Sequence, residues 1–122
     1  MLNQLLAIKC RREQSIRKAL ADNLSKRQEK HNEINLRKSH LSEIILQWEA
    51  CANFSGRIDH KELHRLHSQL IAYEEQCERL KNQIMIDKDD LLALNEAASL
   101  LEKKLLKLLS SQEKIKYILN ER

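Results

Sequence analysis

Starting at Leu63 and stepping alternately three and four residues, one meets Leu63, Leu66, Leu70, Tyr73, Cys77, Leu80, Ile84, Asp87, Leu91, Leu94, Ala98, Leu101, Leu105, Leu108, Gln112, Ile115 and Leu119. Only Asp87 and Gln112 break this apolar stripe. A strict seven-residue repeat keeps one face of a helix against a partner helix when the pair supercoils to the left. At 1.5 Å per residue the stripe predicts roughly 85 Å of continuous helix. No sheet or α/β fold is compatible with an element of that length in a chain of 122 residues.

The remaining half must supply the partner. Counting back from Ala52 gives Trp48, Ile45, Leu41, Lys38, Ile34, His31, Arg27, Leu24, Leu20, Arg17, Glu13, Cys10 and Leu6. This second stripe is apolar over much of 34–52 and polar at 13–17 and 27–31. The segment Ser25–Glu33 holds no apolar residue, so it reads as a poorly buried, labile part of the first helix.

Punctuation is confined to the middle. Gly56 is the sole glycine and proline is absent, so there is room for about one sharp reversal. Gly56 enters the left-handed region without steric cost and terminates the first helix. Asp59 with Glu62 forms a capping box for the second, and Ile58 with Leu63 a hydrophobic staple. The expected fold is therefore all-α, a long antiparallel two-helix coiled-coil hairpin. Helix one covers about 2–54, the turn about 55–59 and helix two about 60–120.

Folding about residue 56 brings together positions whose numbers add to about 112–114. That register places Asp87 near Arg27, and Arg27 or a neighbour such as Lys26 or Lys30 is its expected partner. A polar pair within a seam fixes register at some cost in stability.

Function is narrowed mostly by exclusion. The single glycine supplies neither a phosphate-cradling loop nor a nucleophile elbow. A two-helix rod also offers no concave, desolvated place in which to tune an acid or base. His60, His64 and His67 share a helical face, but their order is not HExxH and no nearby ligand completes a tetrahedron. The reading is a chain without catalysis, cofactor, metal or small-molecule substrate. Cys10, Cys51 and Cys77 form no CxxC pattern, and Cys10 and Cys77 read as buried seam residues. No signal-peptide core is visible, and the longest apolar run is four residues, so a reducing cytosol is the expected compartment.

The formal charge of +4 is concentrated early, at Lys9, Arg11, Arg12, Arg17 and Lys18, with Glu13 the only acid among them. Such a patch suits an acidic protein surface. Four aromatics in the whole chain are too few for a base-stacking platform, so nucleic acid is not the expected partner. The joined termini carry more apolar surface than one seam needs: Leu92, Leu100, Leu106, Leu109 and Ile118 on helix two, and Leu2, Leu5, Leu6 and Ile8 on helix one. That excess predicts a further partner. At the other end Trp48 occupies a seam position and Phe54 lies at the turn, where burial is harder and a partner contact is expected.

The opening Leu5-Leu6-x-Ile8-Lys9-x-Arg11-Arg12 with Arg17, the Trp48 segment, the Arg57-Ile58-Asp59 turn and the leucine heptads running on to Leu119 together resemble the YscO/FliJ family. Members are stalk proteins of type III secretion, and the likeness is to the injectisome branch. The resemblance implies a small helical hairpin at the cytosolic face of the inner-membrane secretion apparatus of a bacterium. Its paired termini would insert into the hexameric secretion ATPase, promoting ring assembly and hydrolysis. The opposite end would face the cytosolic domain of the export gate, and some relatives also escort secretion chaperones. On that resemblance Leu2, Leu5, Leu6, Ile8, Arg11, Arg12, Leu106, Leu109 and Ile118 are the expected ATPase contacts. Trp48, Phe54, Arg57 and Tyr73 are the expected gate contacts. The free protein would be a monomer; the competing reading is a homodimeric coiled-coil adaptor unconnected with secretion.

Overall fold

A computed structural model describes residues 1–52 and 59–121. It contains α1, Leu2–Ala52, and α2, His60–Asn120, of 51 and 61 residues. The described residues include no strand. The two helices pack against each other as an antiparallel all-α hairpin. Gly56, Phe54, Arg57 and Ile58 lie outside the described residues, and with them the expected turn and half of the staple. Asp59 does cap α2: its Oδ1 accepts the Glu62 N–H at 2.7 Å and its carbonyl accepts the Leu63 N–H at 2.9 Å.

Contacts divide the chain into two packing units. One joins Met1–Glu29 to Leu91–Arg122, and the other is Lys30–Asp90. In the second unit Ile34, Ile44 and Ile84 are buried; in the first, Ala98, Leu108 and Ile115. The α2 stripe packs as its spacing predicts, since every member except Leu63 is buried or half-buried.

The α1 stripe is corrected in phase. Its packed positions are Leu2, Leu6, Lys9, Glu13, Ile16, Leu20, Asn23, Arg27, Lys30, Ile34, Arg37, Leu41, Ile44, Trp48 and Cys51. Alternate members coincide with the expected ones. The rest sit one residue earlier, leaving Cys10, Arg17, Leu24, His31, Lys38 and Ile45 exposed. Cys10 is thus a surface thiol and not a core residue. The reason is chemical: either phase contains a similar number of apolar residues, but only the observed one directs both Lys30 and Arg37 at Asp87.

Asp87 is the most buried large side chain, 1% exposed. Its Oδ1 accepts from Lys30 Nζ at 3.4 Å and Gln83 Nε2 at 3.3 Å, and its Oδ2 pairs closely with Arg37 Nη1. Lys30 also reaches Glu33 at 3.2 Å and Asp90 at 3.3 Å. Those carboxylates, Glu33 first, raise the Lys30 ammonium above its ordinary value against partial desolvation. Of the expected partners Lys30 is found on Asp87, whereas Arg27 is not among the groups bonded to it and has its Nε buried without a hydrogen bond. The displacement has a geometric cause. Helical side chains lean toward their own N-terminus. In an antiparallel pair, facing side chains therefore meet when their residue numbers add to more than the backbone register alone suggests. Lys30 with Asp87 adds to 117 and Arg37 with Asp87 to 124, instead of 112–114. Although Ser25–Glu33 is apolar-free, α1 runs through it unbroken, with Arg27 and Lys30 half-buried.

The unit that contains the termini has its own polar positions. Asn23 Nδ2 donates to the Leu94 carbonyl at 3.0 Å, one turn from the buried Ala98. Gln112 is buried beside Glu13 with no partner for its Nε2. Glu13 accepts from Arg17 Nε at 3.1 Å. That bond, above all, holds the Glu13 carboxyl below its ordinary 4.5, helped by the Arg17 and Lys116 charges and opposed by desolvation. A lowered folded-state value adds stability above pH 4.5, and that stability is lost as pH falls through the lowered value. Wild-type melting should accordingly decline more steeply between pH 5 and 3, on the order of the acid range set by such carboxylates, than that of Glu13→Gln. Parallel declines in a calorimetric pH series would show that the Arg17–Glu13 pair contributes nothing.

Candidate partner-binding surface

The packing unit made by the two chain ends exposes both apolar and cationic side chains. Of the expected contacts, Leu5, Ile8, Leu106 and Ile118 are exposed, Leu106 to 67%. Leu92 and Leu100 are exposed as well. Leu92 and Leu106 are two heptads apart, so they fall on one stripe of α2. Leu2, Leu6 and Leu109 are only half-buried or better; Leu2 and Leu6 belong to the seam itself, which removes them from the free surface.

Arg11 and Arg12 are exposed. Arg12 joins Lys9, Lys104 and Lys107 around an open groove of about 250 Å³, floored by Ile16 and Leu108 and edged by Ser111. No acid lines it. Among the described residues none of its four cations takes part in an ion pair. Lys9 is half-buried at a seam position and also lines the groove. The field of four like charges from two helices draws an acidic surface, and the adjoining leucines give that surface apolar area to cover.

The sequence pointed to Lys9 and Arg12 but missed Lys104 and Lys107. Their signal was present, an i, i+3 lysine pair on one flank of α2. It becomes meaningful only once the register sets that flank beside Lys9 and Arg12.

In the other packing unit, Trp48 and Tyr73 are half-buried seam residues. The Trp48 Nε1 is buried with no acceptor. Phe54 and Arg57, the remaining expected gate contacts, lie outside the described residues. His60, His64 and His67 are exposed in the opening turns of α2, and no three metal-ligating side chains converge among the described residues. Among those residues, no helix is long and apolar enough to cross a membrane.

Compared with protein-family models, curated proteins and solved structures, the chain matches none.

Proposed function

We propose that this chain is a non-enzymatic stalk of a type III secretion export apparatus, with its paired ends held inside the hexameric secretion ATPase. The observation that carries the reading is the pairing of exposed leucine and isoleucine side chains with a groove of four uncompensated cations in the unit formed by the chain ends. An antiparallel hairpin with such ends is what the YscO/FliJ resemblance calls for. In this reading the hairpin acts mechanically: its chain-end unit threads the ring and promotes its assembly and hydrolysis, and the Lys30–Asp90 unit contacts the cytosolic domain of the export gate. Escort of secretion chaperones belongs to the same role, as does a place at the cytosolic face of the inner membrane.

The test is the hydrolysis rate of a purified cognate secretion ATPase with and without the intact chain. Stimulation is expected, and the concentration needed should rise roughly tenfold in Arg11→Glu/Arg12→Glu, because reversed charges oppose the same encounter they formerly steered. Absence of both stimulation and ring binding defeats the proposal. Sedimentation equilibrium then separates the alternative: a homodimer that ignores the ATPase is the adaptor, whereas the stalk is a monomer when free.

A further inference from the structure

The packing unit Lys30–Asp90 carries a second groove with the opposite charge. Its floor is Ile45, Trp48 and Cys77, and it encloses about 500 Å³. Glu49 of α1 stands on one side, and Glu74, Glu75 and Glu78 of α2 on the other, with Lys81 the single cation. None of these five charges forms an ion pair among the described residues. Four carboxylates around an apolar floor repel one another, with Lys81 the one cation in the lining to offset them. Trp48, which lines the groove, has a buried Nε1 donor without an acceptor, whereas buried polar groups are ordinarily paired.

We infer that this groove is a docking site for a cationic amphipathic helix of a partner protein. The shape selects a helix, because a trough between two antiparallel helices accepts a third at the usual interaxial spacing of about 8–10 Å. From Glu74 to Lys81 the trough runs about 10 Å, two helical turns. Two turns present apolar anchors at i, i+4 and i+7 to Ile45, Trp48 and Cys77. Lysine or arginine beside those anchors meets the glutamates on both lips. A half-buried tryptophan ringed by charge has the make-up of a binding hot spot.

The same charges exclude other occupants. Anionic lipid and nucleic acid are repelled. A second copy of this chain, whose Lys9, Arg12, Lys104 and Lys107 are cationic in turn, is the competing occupant, and dependence on protein concentration separates it from a partner helix. The inference stands on this groove alone and holds whether or not the chain ends engage an ATPase.

Trp48 is the sole tryptophan, so its emission reports on the groove directly. The probe is a synthetic helical peptide with leucines at i, i+4 and i+7 and lysines beside them, compared with its glutamate counterpart, on the full-length chain. The lysine peptide should shift Trp48 emission saturably, at one peptide per chain. Its affinity should fall about tenfold in Glu74→Gln/Glu78→Gln and by a similar factor on raising salt from about 50 to 300 mM, as for other exposed charge pairs. The variant should keep wild-type helicity and melting at least as high, because neither glutamate has an ion-pair partner among the described residues to lose. Equal binding of the glutamate peptide, or undiminished binding by the double variant, overturns the inference. So does an emission shift that follows protein concentration without peptide, which would put a second copy in the groove.

Discussion

Asp87→Ala should lower the melting temperature by roughly 10 °C, the consequence of about 2–3 kcal/mol in a domain of this size. Removing one member of a buried ion pair commonly costs about 3–5 kcal/mol, because the other charge is left stranded. Here the stranded groups are Lys30 and Arg37, whose side chains keep 25% and 32% of their exposure and regain water when the carboxylate is gone. The lower end of the range therefore applies. A triple variant carrying leucine at 30, 37 and 87 should behave differently. It melts no lower than wild type, since an apolar layer replaces a desolvated one. It also loses the ion-paired layer that distinguishes one heptad register from the next, and should populate slipped or associated forms. Thermal melts paired with light scattering read both effects. An unchanged melting temperature for Asp87→Ala, or a single well-defined monomer for the triple variant, would show that this layer does not set the register.

The second large effect separates two adjacent isoleucines. Ile44 is 4% exposed and Ile45 38%. Ile44→Ala should destabilise by about 2–4 kcal/mol, from lost transfer energy together with the cavity left between helices. Ile45→Ala removes the same atoms from a half-solvated flank and should cost less than about 1 kcal/mol. Urea denaturation of the pair is a direct readout of which phase α1 presents to α2. Equal losses would return Ile45 to the seam, and the phase described here would be wrong.

The candidate surface was legible in part. Leu5, Ile8, Arg12, Leu106 and Ile118 stood out because they are apolar or basic residues beyond what one seam requires. Leu2 and Leu6 stood out for the same reason, yet the structure uses them in packing. Lys104 and Lys107 gained meaning only from the helix opposite, and so did the acidic groove: Glu49 and the Glu74–Glu78 cluster are 25 or more positions apart in the chain and share a site only when the helices are paired.

The sequence alone determined that the chain is helical, that it reverses once and which stripe of α2 is packed. Each of these follows from local rules, a seven-residue period and a lone set of stop and start residues, and each holds for a helix taken by itself. It did not determine which stripe of α1 answers. Ile44 and Ile45, or Asn23 and Leu24, are close competitors as long as only one helix is considered. The tertiary structure decided between them through Asp87, a single buried carboxylate that must be neutralised. Lys30 and Arg37 reach it in one phase only, and the lean of helical side chains moves the meeting point beyond Arg27. Pairing is a relation between two elements, and a periodicity within either one carries no information about it.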